Sequence, residues 1–271
     1  MLGVPTRRAS LRKISAGPPA RWTLAIGLLE GYKSARAEHP SNHNATMQLL
    51  SLIVLAGAVA ATPVRRSLYS GLYNTTCVTA GEVAKDANWL PNAPVTAQIT
   101  GGQAGVSLIL DIGLMDTTTC EALPNTLVEV WAPNAVGTYG AGFLRGATLT
   151  GSNGIAEFEM IFPGFTSAGA NHINVIVHRP GVTSPANATT VAHVGQVFFT
   201  DQWTNVIGMS APYSGDTQAR VLNAGDGLFA QASADGFSPI VDIEEIHDDW
   251  PEGISGYITI GVDPEAEYAN A

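Results

Sequence analysis

Between residues 94 and 263 short apolar runs are separated by clusters of Gly, Asn, Asp and Pro, and this punctuation limits the chain to short strands. The runs fall at 94–100, 106–114, 126–132, 154–162, 172–178, 192–199, 239–246 and 255–263. Only 201–209 and 225–234 read as helices, both short. Strands at this spacing, without alternating helices, predict an all-β chain folded as a two-sheet β-sandwich. The 29 glycines, 16 prolines and a charged content of only 13% agree with such a turn-rich fold. No internal repeat and no second domain stand out.

The stretch from Phe158 to Pro180 carries the chemistry. If 172–178 is a strand, His172, Asn174, Ile176 and His178 share one face, because side chains alternate with period two. A His-x-His at its start would present two imidazoles to one metal ion. Here the second position is Asn174. His178 lies six residues along the same face, roughly 20 Å from His172, so it cannot share an ion with it and is read as a structural histidine.

The N-terminal region reads as processing. Residues 1–66 hold nine of the 13 Lys and Arg but only Glu30 and Glu38 of the 23 acids. The remainder sets Lys85, Arg145, Arg179 and Arg220 against 21 acids, a net charge of −17 that argues against nucleic-acid binding. Leu49–Ala61 is a largely apolar run of 13 residues, too short for a span of ~20, and it ends in the small-x-small pattern Ala58-Val59-Ala60. The expected organisation is a tail or gene-model extension (1–46), a secretory signal (47–61), a short pro-segment (62–76), the domain (77–265) and a C-terminal tail (266–271). A genuine tail or a mitochondrial targeting segment is the competing reading of the N-terminus. In a secreted chain the two cysteines, Cys77 and Cys120, fit one disulfide; two buried free thiols are the alternative. Asn74 and Asn187 open N-x-[ST] sequons.

Several separated segments, QAGVSLILDI, DTTTCEALPNTLVEVWAPNAVGTYGAG, FLRG, the FPG turn, HVGQVFF, APY and ITIGVDP, occur in an order that resembles secreted fungal intradiol ring-cleavage dioxygenase-like proteins, from about Cys77 to Glu265. The resemblance implies a β-sandwich and, in the family's enzymes, a mononuclear ferric ion that serves O₂-dependent opening of catechol-type rings. Two tyrosines and two histidines hold that Fe(III). Carried over position by position, the first tyrosine is Tyr139, in Trp131-x-x-Asn134-x-x-Gly137-x-Tyr139. The second, two residues after Phe162-Pro163-Gly164, is Thr166. The first histidine is His172 and the second is Asn174, while the substrate-holding arginine three residues before His172 is Gly169. A pocket-lining Glu-Gly-Pro-Tyr-Tyr segment is replaced by Lys85–Trp89.

Two metal positions, Tyr139 and His172, are thus retained. Ferric iron is a hard ion whose charge two phenolates largely offset, and a threonine hydroxyl or a neutral amide replaces neither a phenolate nor an imidazole. Loss of supporting groups alone lowers metal affinity about 10–100-fold, so losing two ligands implies a deficit on the order of 10³-fold. The resemblance therefore implies Fe(III) held weakly or not at all. Three readings follow: a secreted pseudoenzyme binding a small aromatic or wall-associated ligand, an altered dioxygenase in which water completes a Tyr139/His172 iron site, or a structural protein whose role was never tied to the pocket. His193, Tyr213 and His247 are secondary candidates, and the acidic run Asp242–Glu252 reads as a solvated edge before a calcium loop.

Overall fold

The computed structural model describes residues 69–73, 75, 77–246 and 250–269. The segments 1–46 and 47–61, Asn74 and His247 lie outside the described residues. Nine strands are described: β1 Ser107–Asp116, β2 Leu127–Trp131, β3 Arg145–Leu149, β4 Ile155–Ile161, β5 His172–His178, β6 Thr190–Phe198, β7 Asp242–Glu245, β8 Ile254–Val262 and β9 Tyr268–Ala269. They form two sheets, ordered β4-β1-β8-β7 and β3-β2-β5-β6-β9. The expected two-sheet sandwich is the fold.

Alternation in the central strands decides which faces meet. Leu108, Leu110, Ile112 and Leu114 of β1 point inward against Ile173, Val175 and Val177 of β5 and Val128 and Val130 of β2, all in one buried cluster. Each such side chain contributes roughly 1.5–3 kcal/mol by leaving water. β1 pairs antiparallel with β4 and parallel with β8 (Leu108 opposite Ile254), so the four-stranded sheet is mixed.

The other face of β5 matters more for function. All seven residues of β5 are buried, so the outward-facing His172, Asn174 and His178 are covered too. A strap of chain from Glu82 to Pro94 lies over this face. It is fixed by Val83 N–H donating to the Val194 carbonyl at 3.0 Å and by Arg145 Nη2 donating to the carbonyls of Leu90 (2.6 Å) and Pro91 (3.1 Å). Trp89 and Tyr139 pack there against Trp131, Ile176, Val191 and Val194.

The expected strand at 94–100 is instead a crossing segment. It makes single bridges, Val95 to Ala147 in one sheet and Gln98 to Glu159 in the other. Pro94 has no N–H to offer a ladder, and the segment leaves each sheet before a second rung forms. β3 is a strand that the apolar pattern does not signal. A Cβ at its Gly146 would lie 2.5 Å from Ile99 Cγ2 and 2.8 Å from the Thr96 carbonyl, so the glycine lets the crossing segment pass. Two helices, α1 Asp201–Gly208 and α2 Gly227–Ala232, close the ends and are capped by the side chains of Thr200 and Asp226. Cys77 and Cys120 are disulfide-bonded. Among the described residues no helix is long and apolar enough to cross a membrane.

Candidate functional site

The Trp-x-x-Asn-x-x-Gly-x-Tyr segment is a self-contained turn that delivers Tyr139. Asn134 Oδ1 accepts from the backbone N–H of Val136 (3.2 Å) and Thr138 (3.0 Å), folding the loop back on itself. Gly137 sits at φ 70°, and a Cβ there would strike Gln218 and the Phe165 carbonyl. Gly164 of the Phe-Pro-Gly turn is equally constrained, since a Cβ would come within 2.5 Å of the Asn134 and Ala135 carbonyls. The glycines thus press two loops together. Gln218 joins them, donating to the Gly137 carbonyl (3.1 Å) and accepting from Ser167 N–H (3.2 Å). This junction places Thr166 beside Tyr139.

Tyr139, Thr166 and His172 line one cleft of about 220 Å³, together with Asp86, Asn88, Gln196 and Gln218. Asn174 adjoins it through Tyr139. Three of the four positions that the sequence picks out as a ligand set therefore face a common space, and the fourth touches it. His172 Nδ1 lies 2.7 Å from the Ala170 carbonyl. A carbonyl only accepts, so Nδ1 carries the proton. Burial lowers the His172 pKa, against the raising effect of that carbonyl, of Asp86 and Asp226, and of the Asn174 side chain beside it, so the ring is held neutral. The ring Nε2 is buried and has no hydrogen-bond partner.

Asn174 is engaged on both ends. Its amide nitrogen donates to the Trp131 carbonyl (3.3 Å) and to the Tyr139 hydroxyl (3.4 Å), and its oxygen accepts from Gln196 Nε2 at 2.9 Å. The Trp131 carbonyl fixes which end of the amide is which. Burial, with Asp86 second, raises the Tyr139 pKa far above the usual phenol value, opposed only by Asn174, so Tyr139 is a neutral phenol here. Gln196, which the sequence reading passed over inside HVGQVFF, is a site residue; its Oε1 is buried and unpartnered. The signal available was its parity with Asn174, which it faces across the β5–β6 ladder.

Gly169 stands beside a second residue that sequence reasoning missed. A Cβ at 169 would lie 2.8 Å from Asp226 Oδ2. That carboxylate accepts from Ala170 N–H (2.7 Å) while its other oxygen caps α2 at Leu228 N–H (2.7 Å). A carboxylate thus abuts the point where a side chain at position 169 would begin.

The remaining candidates are structural. His178 Nε2 is 3.0 Å from Glu129 Oε2, and His193 Nδ1 contacts Glu82. Tyr213 donates to the Phe162 carbonyl (2.7 Å) and accepts from Val106 N–H (3.0 Å) inside the core. Among the described residues, no three His, Cys, Asp or Glu side chains come together as a metal-holding group.

No family model matches the chain, and no curated protein matches it in sequence. Solved structures do. An intradiol ring-cleavage dioxygenase from Tetranychus urticae is 25% identical and superposes with a TM-score of 0.63, over 71% of this chain and 98% of that one. A second dioxygenase structure is also 25% identical, with a TM-score of 0.62 and the same coverage. The β-sandwich described above is the fold of intradiol ring-cleavage dioxygenases.

Proposed function

We propose that the protein is a secreted, intradiol-dioxygenase-fold binding protein in which ring cleavage has been lost. The observation that carries this reading is Asn174. It stands where the resemblance places a histidine ligand, and its amide is engaged with Gln196, Trp131 and Tyr139. The donor set does not fit a ferric ion. It consists of one neutral imidazole, a single tyrosine, a threonine hydroxyl and a neutral amide held by its neighbours. Asp226 beside Gly169 puts a negative charge where the resemblance asks for a cation on the substrate. The N-terminal apolar run with its Ala-x-Ala end and the bonded cysteines support secretion.

One observation favours the second reading, an altered dioxygenase. His172 keeps the tautomer a metal ligand needs, with Nε2 unpartnered. The measurement that separates the two is iron per chain in the purified protein, with oxygen uptake on catechol. The binding-protein reading expects substoichiometric iron, no tyrosinate-to-iron colour and no catechol-dependent uptake. Near-stoichiometric iron whose colour disappears in Tyr139→Phe would establish the altered dioxygenase instead.

A further inference from the structure

The connection from β5 to β6, residues 179–189, leaves β5 at the end away from the cleft. His172 opens β5 beside the cleft and His178 closes it, a run of roughly 20 Å at ~3.3 Å per residue. The connection turns at once. Val182 N–H donates to the Arg179 carbonyl at 3.2 Å, and Gly181 takes φ 85°. Arg179 holds its start in place through Glu265 (3.5 Å) and Glu267. A single 3₁₀ turn, Pro185–Asn187, follows, with Pro185 buried as its anchor.

This turn brings the tripeptide Asn187-Ala188-Thr189 to the surface. Ala188 N–H closes the turn on the Pro185 carbonyl (3.2 Å), and at Ala188 the backbone leaves extended, φ −91° and ψ 117°. Ala186 just before the tripeptide and Thr189 at its end are exposed, and Ala188 is half-buried. Ala188 and Thr189 border an open hollow of about 360 Å³, so space lies against them and not a packed element.

Asn-x-Thr, with x not proline, is the acceptor signal for asparagine-linked glycosylation in the secretory route. As three letters it arises by chance, and it cannot serve from inside a packed strand, where a bulky solvated oligosaccharide has no room. Here Ala188 stands between and Thr190 follows, so no proline interrupts the signal. The chain re-enters a ladder only at Thr190, opposite Ala269, once the signal is complete.

We propose that Asn187 is a site of N-linked glycosylation, placed at the far end of β5 from the cleft. This rests on the reading of the protein as secreted. The reaction is a group transfer without redox change, and its donor is an oligosaccharide on a polyprenyl diphosphate. The Asn187 amide nitrogen forms the bond to C1 of the first sugar, the bond from C1 to the diphosphate breaks, and the amide proton is released as the carrier leaves. The attachment lies a strand's length from His172, so the glycan leaves the cleft open.

The test is glycopeptide mapping of the full chain made in a eukaryotic secretory host, once with its own N-terminus and once behind a supplied secretory signal. Peptide N-glycosidase in isotopically heavy water marks each former acceptor, so position 187 is read separately from the sequons at Asn44 and Asn74. The expected result is label at 187 in most chains. One step of gel mobility should be lost in Asn187→Gln and in Thr189→Ala and kept in Thr189→Ser. The mapping is made on the wild-type chain, so it does not depend on how the variants fold. An unmodified Asn187 in protein that has passed through the secretory route overturns the inference, and so does modification at 187 that survives Thr189→Ala. The two preparations keep the claims apart. Retention of the native chain in the cell, with label at 187 behind the supplied signal, defeats the reading of secretion alone. Secretion of both with 187 unlabelled defeats only this inference.

Discussion

Replacement of Glu129 should loosen the strap that roofs the site, and the structure sets the size of the effect. Glu129 is 1% exposed on the outward face of β2. Its Oε1 accepts from Trp89 Nε1 at 3.0 Å and its Oε2 meets His178 Nε2 at 3.0 Å. Lys85 Nζ sits 3.6 Å from the centre of the Trp89 ring on the same strap. In Glu129→Gln the amide oxygen can serve one donor while its NH₂ opposes the other, leaving one buried donor unpaired. A hydrogen bond to a charged group contributes ~1.5–3 kcal/mol and an unpaired buried donor costs ~1–3 kcal/mol, so the loss should be about 2–4 kcal/mol. For a domain of this size that lowers Tm by about 5–15 °C. Glu129→Leu, which strands both donors, should cost more, about 3–5 kcal/mol. Trp89→Phe, which leaves the His178 contact intact, should cost only about 1–2 kcal/mol. Thermal unfolding at neutral pH, followed by circular dichroism, measures all three. A Glu129→Gln protein that melts within a degree or so of wild type would refute the account of how the strap is held.

Three further outcomes are expected. Thr166→Tyr with Asn174→His should give iron per chain and a charge-transfer band that neither single substitution gives, because ligands of one site act together; a folded double variant that binds no iron would mean the backbone has moved out of register with a metal site. Reducing the Cys77–Cys120 bond, which closes a separation of 43 residues, should lower stability by up to roughly 4 kcal/mol, read as a lower denaturation midpoint; no change would show that the loop is already ordered in the unfolded chain. Burial, then Glu244 and Asp111, push the Tyr69 phenol up to about 12 from 10.0, so the fold favours its neutral form. Its contribution is complete below pH 10 and is lost as pH rises through about 12, and Tyr69→Phe should flatten that alkaline limb of the stability curve.

The sequence was most legible where one side-chain pattern served one purpose. β1, β5 and β8 carry uninterrupted or alternating apolar runs, and each lies where the pattern puts it. β3, with Arg145, Gly146 and Thr148 among its five residues, is an edge strand held by its ladder to β2 and a single bridge from Val95, and not by its own composition. The segment 94–100 has strand composition, yet its partners lie in different sheets, which no local pattern encodes. Tyr139, Thr166 and His172, which motif spacing singles out, line one cleft. Gln196 and Asp226 were hidden for a different reason. Each enters the site by cross-strand or long-range hydrogen bonds, with Asp226 56 residues from its partner Ala170.

The departures at the site are linked to one another physically. An arginine at 169 would have to share its first carbon's space with Asp226, whose two oxygens are committed to Ala170 and to the start of α2. A histidine at 174 would break the amide contact that orients Gln196 and the one that meets the Trp131 carbonyl. Glycine at 169 and asparagine at 174 each therefore leave a neighbour satisfied that the alternative residue would strand. Such reciprocal fits distinguish a site rebuilt as a polar, hydrogen-bonded surface from one that has merely shed two ligands, since simple loss would leave cavities or orphaned groups at 169 and 174. Positions 169 and 174 themselves hold no orphaned polar atom; among their neighbours His172 Nε2, Gln196 Oε1, Trp131 Nε1 and Asn171 Oδ1 are buried and unpartnered.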